Sequence, residues 1–216
     1  MFSNLVLAGG QIKGVAYIGV LRALEELLMV KYIKNICGTS SGSIFGLCLI
    51  LNMNSKSLEK IIMEVFKYEN LKTPDKLNIA NVLEFYGIEN GNNLEKIIGV
   101  ILEKKTQLKN CTFKQLKECF PEKNFIVVGT NISKNITEYF SAETTPDMEI
   151  IKAIRISISV PLVFTKVSYK NDVYVDGGVG CNLPMDYFKN DIENTLGITV
   201  SSPNNPTEIN SFGTYM

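Results

Sequence analysis

The sequence predicts an α/β fold: a mostly parallel central sheet flanked by helices, with a further helical segment inserted after the second helix. Three observations point there. A strand, a glycine turn and a helix follow one another twice within about the first fifty residues, around Gly9-Gly10 and around Gly38 to Gly42. Phe125 to Thr130 has the continuous apolar run of a strand covered on both faces. No linker or internal repeat divides the 216 residues, a length that suits one domain burying roughly 70% of the surface its unfolded chain exposes. The domain is expected to occupy 1–216, with its core at about 5–200 and a loose polar tail over 201–216, where Pro203 and Pro206 stand.

Each element has its own signal. Leu5 to Ala8 is a compact apolar strand ending at Gly9-Gly10. A helix is expected from about Gly14, with Tyr17, Val20, Leu21, Leu24, Leu27 and Leu28 on one face and Arg22, Glu25 and Glu26 opposite. Ile33 to Cys37 reads as the second strand, followed by a Gly/Ser turn and a helix through Asn52. The run Ile44 to Leu51 reads as a buried helix, far short of the ~20 residues a membrane span needs. From Ser55 to Phe120 the chain looks almost wholly helical. Leu58, Ile61, Ile62, Val65 and Phe66 share one face, Asn93 to Lys105 is amphipathic, and Thr112 with Gln115 forms a capping box. These apolar stripes suit a core or a membrane-docking lid, core being the commoner use. Lys104, Lys105, Lys109, Lys114, Lys117 and Lys123 suit a solvated face more readily than anionic headgroups. Strands return at Phe125 to Thr130 and Thr137 to Phe140, and a helix beginning near Pro146 carries Ile150, Ile151, Ile154 and Ile158. Lys166 to Tyr169 and Val173 to Val175 form a hairpin around Asn171-Asp172, and Thr195 to Val200 is the last strand.

Composition narrows the chemistry. There is no histidine, which excludes a Ser-His-Asp triad, a Cys-His pair, H-E-x-x-H zinc sites and zinc fingers. Twenty-two basic and 22 acidic side chains give zero net charge, which argues against a nucleic-acid partner. The five cysteines (Cys37, Cys48, Cys111, Cys119 and Cys181) form no C-x-x-C pair, and the first residues lack the charged start of a signal peptide. Reduced thiols in an intracellular compartment are therefore expected.

Three pieces of the chain suit a reactive site. Gly38-Thr39-Ser40-Ser41-Gly42 is a G-x-S-x-G pattern between a strand and a helix. Such a turn projects its serine, with the positive end of the helix dipole beneath it; the plain alternative is a Ser/Gly-rich helix cap. Gly9-Gly10-Gln11-Ile12-Lys13-Gly14 lets backbone N–H groups turn toward an anion, as an oxyanion hole or phosphate cradle does. A Rossmann loop would need glycine at position 11, where Gln11 stands, and a P-loop would need Gly-Lys-Ser/Thr at its end, where this sequence has Lys13-Gly14-Val15. Lys13 steadies a phosphate or solvates the loop. Asp176-Gly177-Gly178 leaves a strand as either a buried carboxylate or a turn aspartate capping its own backbone, and Asp172, at a hairpin tip, is the poorer candidate base. Taken together the pieces support one another. A serine without a histidine needs a carboxylate or lysine as base, and burial raises an aspartate toward that task.

The three motifs, in this order, resemble the patatin-like phospholipase family, whose pattern is a G-G-G-x-[K/R]-G loop, a G-x-S-x-G elbow and a distant D-G-[G/A]. Tyr17 to Glu26, the Ser-x-x-x-Pro-x-x-Phe run within Ala153 to Phe164, and Asp176 to Pro184 are similar to the family as well. The match runs from Leu5 to about Val200. The resemblance implies a three-layer patatin-like fold and a lipid acyl hydrolase of phospholipase A type, working without a metal or cofactor. Ser40 would be the nucleophile and Asp176 its proton acceptor. The N–H groups around Gly9, Gly10, Gln11 and Ile12 would form the oxyanion hole, with Lys13, Gly14, Gly38, Gly42, Gly177 and Gly178 as motif support. It implies a phospholipid or other acyl-lipid substrate and a cytoplasmic location, with room for peripheral contact at membranes. Acyl transfer or thioester hydrolysis by the same acyl-enzyme is the alternative within the enzyme class. A catalytically weak lipid-binding or regulatory protein is the alternative outside it. Gln11 motivates that last reading, because it stands where the family has its third loop glycine, and a Cβ disfavours φ > 0 there.

Overall fold

The computed structural model describes residues 1–69, 87–89 and 91–201. Nine strands are found there: β1 (Asn4–Leu7), β2 (Asn35–Thr39), β3 (Gly87–Glu89), β4 (Asn124–Asn131), β5 (Ile136–Phe140), β6 (Leu162–Phe164), β7 (Val167–Tyr169), β8 (Asp172–Asp176) and β9 (Thr195–Ile198). Seven form one sheet in the order β7-β8-β4-β2-β1-β9, with β5 added on β4. The helices are α1 (Tyr17–Glu26), α2 (Ser41–Ile50), α3 (Ser55–Glu69), α4 (Asn92–Thr106), α5 (Phe113–Cys119), α6 (Ile150–Ser157) and the single turn α7 (Gly177–Gly180). The α/β class stands, and the sheet is a mixed one. Pairs β9-β1, β1-β2 and β2-β4 are parallel, whereas β5, β8 and β7 join antiparallel.

Side-chain alternation along the strands separates two cores. Leu5, Leu7, Ile36, Phe125 and Val127 face the thick helical layer, where Leu21, Leu24, Leu47, Leu58, Leu102, Leu116 and Ile154 meet them. Val6, Cys37, Ile126 and Val128 face the other way, under Met185, Tyr187 and Phe188 from a 3-10 segment (Met185–Asn194). Register is pinned at the N-terminal ends of the strands. Asn4, Asn35 and Asn124 lie opposite one another; Asn124 donates its amide to Asn35 at 2.6 Å, and Asn35 donates to Asn4 at 2.7 Å. Asp191 and Lys117 close the two ends of this ladder.

The edges of β4 decide where the site forms. Its residues Val127–Asn131 carry β5 along one edge. The other edge is shared, with β2 parallel along Asn124–Val128 and β8 antiparallel along Gly129–Asn131. Two strands thus run toward each other along the same edge and meet end to end. Thr39 lies opposite Val128, and Asp176 lies opposite Gly129, the next residue. Residues far apart in sequence, Ser40 and Asp176, are brought together by this handover.

Several expectations are corrected in detail. The second strand begins at Asn35 and continues through Gly38-Thr39, because pairing with both β1 and β4 extends it through the glycine. Residues Gln11–Ala16 form a 3-10 helix, so α1 starts at Tyr17. Leu27 and Leu28 leave the apolar stripe and are each 67% exposed, since Leu28 turns left-handed (φ 55°) after the end of α1. The stretch Ser55 to Phe120 is not wholly helical. The three residues of β3 pair with β6, an element with too few residues to show a period of its own. The helix expected near Pro146 starts at Ile150, because the carbonyls of Pro146 and Met148 are taken by the first N–H groups of α5. Lys117 and Lys123 are half-buried and donate to backbone carbonyls, and they are not part of a solvated face.

Other expectations hold. Asn93 to Lys105 falls within α4, Thr112 and Gln115 form both bonds of the capping box, and the helix from Ile44 is buried. The apolar stripes of α3, α4 and α5 pack as core through Leu58, Ile98, Leu102 and Leu116. The expected hairpin β7–β8 is present, but it turns at Lys170-Asn171, one residue before the expected Asn171-Asp172, because these two take the positive φ of a two-residue turn and Asp172 already pairs with Tyr169. The expectations for the side chains of Val65 and Phe66 and for the tail beyond Ser201 lie outside the described residues. Among the described residues, no helix is long and apolar enough to cross a membrane.

Candidate active site

Ser40 stands between the end of β2 and the start of α2, with φ 51° and ψ −124°. That conformation is sparsely populated for a residue with a Cβ and costs on the order of 1–3 kcal/mol. It persists because the surroundings leave no alternative. A Cβ on Gly38 would lie 2.5 Å from the Gly42 carbonyl oxygen, and one on Gly42 would lie 2.3 Å from that of Leu7. Bare backbones therefore cross on both sides of the serine, and β1 presses on the first turn of α2. The Ser40 N–H donates to Ser157 Oγ at 2.9 Å, and its carbonyl accepts from Ser43 N (2.9 Å) and Ser43 Oγ (2.6 Å). As the N-cap of a ten-residue helix, Ser40 also sits at the positive end of the α2 dipole.

Asp176, the last residue of β8, is 5% exposed. Its N–H donates to the Ser159 carbonyl at 2.9 Å, and its Oδ1 accepts from Gly178 N at 2.7 Å. Oδ2 is buried and has no hydrogen-bond partner at standard geometry among the described residues. Burial raises the carboxyl pKa from 3.8 to about 6, against the opposing pull of the neighbouring Ser40 hydroxyl and the Gly178 N–H. The arrangement joins a hydroxyl held on a strained turn to a carboxylate with a vacant acceptor atom and a pKa near neutrality. Such a pair can pass a proton from one oxygen to the other as the contact shortens around a reacting group.

The glycine loop closes the same cleft. Gly9, Gly10, Gln11, Lys13, Ser40, Asp176, Gly178 and Asn182 line a space of about 390 Å3 with Val160, Pro161, Val179 and Val200. Gly9 N donates to the Asn182 carbonyl (3.3 Å), and Gly10 N donates to Ser41 Oγ (3.0 Å). The Gly9 and Gly10 donors expected at an oxyanion are therefore already engaged. The N–H groups of Gln11 and Ile12 open the 3-10 helix and lack intrahelical acceptors. Gln11 has φ 50°, so its Cβ does not prevent the left-handed conformation a glycine would adopt. Gly14 and Gly177 are buried at the base of the loop and of the Asp176 turn. Asp172 lies at the far end of β8 in an ion pair with Lys134 (2.5 Å), out of reach of Ser40.

A second cavity of about 260 Å3, lined by Asn35, Phe113, Lys117, Lys123 and Tyr187, lies at the opposite ends of the strands and holds no part of this group. Ser157, Ser159 and Ser41 are also partners of the site, roles no local motif shows, although Ser157 opens the Ser-x-x-x-Pro-x-x-Phe run. The signal available for the first two was a pair of serines breaking the apolar run Ile154 to Val160.

The patatin-like phospholipase family model matches residues 5–189. The chain belongs to this family. Uncharacterized protein R571 of Acanthamoeba polyphaga mimivirus is 36% identical over 202 residues, 93% of this chain and 66% of that protein. Probable lipid hydrolase 463L of Invertebrate iridescent virus 6 is 35% identical over 187 residues, 86% of this chain and 62% of that one. The chain thus spans under two thirds of the length of these relatives. Among solved structures, VipD from Legionella pneumophila superposes with a TM-score of 0.64 at 21% identity, over 85% of this chain and 47% of that one. ExoU, in its complex with SpcU from Pseudomonas aeruginosa, gives a TM-score of 0.56 at 23% identity, over 96% and 42%. The two structures share the fold of this patatin-like chain.

Proposed function

We propose that this patatin-like domain is a lipid acyl hydrolase of phospholipase A type that works through a Ser40 acyl-enzyme. The observation that carries the reading is the buried, unpartnered Oδ2 of Asp176 beside the strained Ser40 in a chain without histidine. Ser40 Oγ attacks the ester carbonyl and its proton passes to Asp176. The tetrahedral oxyanion takes hydrogen bonds from the Gln11 and Ile12 N–H groups. The carbon–oxygen bond to the lipid alcohol breaks, and the alcohol leaves with the proton from Asp176. Water then attacks the acyl-enzyme, gives a proton to Asp176, and the fatty acid departs as Ser40 regains that proton. Each oxyanion donor in such hydrolases is worth about 3–4 kcal/mol of barrier, so most of the acceleration rests on the loop rather than on the modest basicity of the aspartate.

The mouth of the cleft supports an apolar substrate. Ile12, Leu162, Val163, Val179 and Leu183 are exposed on the segments that carry or adjoin its lining residues. Peripheral contact of these side chains with a membrane surface belongs to the same reading. The viral relative described as a probable lipid hydrolase supports the substrate class. The test combines a fluorophosphonate probe with fatty-acid release from defined phospholipid vesicles. Both are expected in the parent chain and absent in Ser40→Ala; labelling that survives the substitution overturns the nucleophile.

A further inference from the structure

We propose that Ser157 is a positioning residue for the dyad: by accepting the Ser40 N–H it holds the nucleophile in its strained turn, within reach of Asp176. The inference rests on the assignment of Ser40 and Asp176 made above.

The need for such a residue follows from the sheet. Up to Thr39, β2 pairs along the edge of β4, but from Gly129 onward that edge belongs to β8. Ser40 is the first residue past the handover, so its N–H has lost its strand partner. It also precedes α2, whose opening N–H groups have no carbonyl behind them. A buried amide in that position needs an acceptor from elsewhere. Ser157 Oγ is that acceptor, at 2.9 Å, on the last residue of α6. The position is wholly buried beside Ala153, Ile154 and Ile156, where a hydroxyl has no solvent to satisfy it.

The same short segment also holds the other half of the dyad. Two residues on, the Ser159 carbonyl accepts from Asp176 N at 2.9 Å. Ser159 in turn is gripped by the buried Arg155, whose Nη1 donates to Ser159 Oγ at 2.5 Å while that hydroxyl donates to the Arg155 carbonyl at 2.6 Å. Arg155 reaches on to the Thr165 carbonyl at 3.0 Å and to Glu95 of α4 at 3.5 Å. One piece of chain, residues 155–159, therefore touches the backbone N–H of both Ser40 and Asp176 and is itself braced. The spacing of the dyad is set there as much as at the elbow.

A purely structural role for Ser157 would lower stability and leave the chemistry of the remaining folded molecules unchanged. A positioning role alters their pH profile. Burial raises the Asp176 pKa, while the Ser40 hydroxyl and, to a smaller degree, the Gly178 N–H hold it down. If Ser40 relaxes away, the Asp176 carboxyl moves further up and the acid limb of the rate profile moves to higher pH. The experiment measures the rate of fluorophosphonate labelling, and kcat and KM on a soluble short-chain ester, across pH 4–9, about the range in which a perturbed carboxyl titrates. Parent chain, Ser157→Ala, Ser157→Thr and Ser40→Ala are compared, with circular dichroism as the check on folding.

Ser157→Ala is expected to label and turn over about tenfold to a hundredfold more slowly, with KM within about twofold and the acid limb displaced upward. Ser157→Thr keeps the acceptor and is expected to restore the rate to within about threefold and the limb to its parental place. A Ser157→Ala rate within about twofold of the parent with an unmoved limb overturns the proposal, as does equal impairment of a folded Ser157→Thr. If Ser157→Ala does not fold, Ser157→Cys, similar in size and a weaker acceptor, is read by the same criteria. Undiminished labelling of Ser40→Ala would sink the functional reading instead, and so tells the two failures apart.

Discussion

Two residues with side chains face the same cleft in left-handed backbone conformations, Ser40 at φ 51° and Gln11 at φ 50°. Their surroundings have little else in common. Ser40 is 6% exposed, its N–H and carbonyl are both hydrogen bonded, and bare glycine backbone crosses on either side of it. Gln11 opens a 3-10 helix with its side chain in solvent. Strain in the first case is imposed by several packed elements at once, so relieving it means moving a strand, a helix or both. In the second it is a local property of one loop residue. A strained conformation that its surroundings over-determine is a feature of the site, whereas one that a single substitution can relax is a feature of the residue.

The largest effect that this comparison predicts is at the elbow. In Gly42→Ala the new Cβ would lie 2.3 Å from the Leu7 carbonyl oxygen and 2.7 Å from that of Ala8, both backbone atoms that cannot turn aside. The gain in helix propensity, about 1 kcal/mol, does not offset the displacement of β1 or α2. Fluorophosphonate labelling is expected to disappear and thermal stability to fall by about 3 kcal/mol or more, at the upper end of overpacking effects. Labelling at the parental rate would mean that the crossing at Gly42 is looser than its distances imply.

Next in size is Asp176, where activity and stability are expected to move in opposite directions. Burial lifts its pKa in the folded protein to about 6, above the 3.8 of an unperturbed group. The folded state therefore holds the proton more tightly, and stability declines as pH rises from about 4 to about 6 and is level beyond. Above that range the buried charge costs about 3 kcal/mol, an order-of-magnitude figure from the shift. Asp176→Asn keeps an oxygen for the Gly178 N–H but carries no charge. It is expected to abolish ester turnover and to raise the melting temperature at pH 7, with the gain vanishing below about pH 4. Melting curves at the two pH values decide the matter, and a variant less stable than the parent at pH 7 would contradict it. In the parent chain the rate is expected to fall as pH drops through about 6, where the carboxylate takes its proton.

The same contrast explains what was legible in the sequence. The elbow is contiguous, so Gly38, Ser40 and Gly42 announce it within five residues, and the strand before and helix after agree with it. Asp176 is legible as a candidate because two glycines follow a strand, and it is set apart from Asp172 by lying at the other end of that strand, away from the hairpin turn. The meeting of β2 and β8 along one edge of β4 is not legible, because it depends on which strands share an edge, and no local pattern encodes that. Ser157 is hidden for the same reason: its partner is 117 positions away. Local pattern also misled where tertiary contacts end an element early. Leu27 and Leu28 continue the apolar stripe of α1, yet the chain turns left-handed at Leu28 and exposes both. β3 exists only because β6 pairs with it.

The smallest expected effect is at Gln11, and it tests the comparison most closely. If the strain at position 11 is local, glycine relieves it without disturbing anything else, because no other element depends on the side chain. A residue with a Cβ in the left-handed region is disfavoured by about 1–2 kcal/mol, and glycine adds about as much flexibility to the unfolded chain as it removes in strain. Gln11→Gly is thus expected to change stability by less than about 1 kcal/mol and to leave turnover equal or raised, because the Gln11 and Ile12 N–H groups keep their places. A large loss of activity would show that the glutamine side chain has a task of its own in the cleft. The exposed strain would then be part of the site, as it is at Ser40, and the division drawn between the two residues would fail.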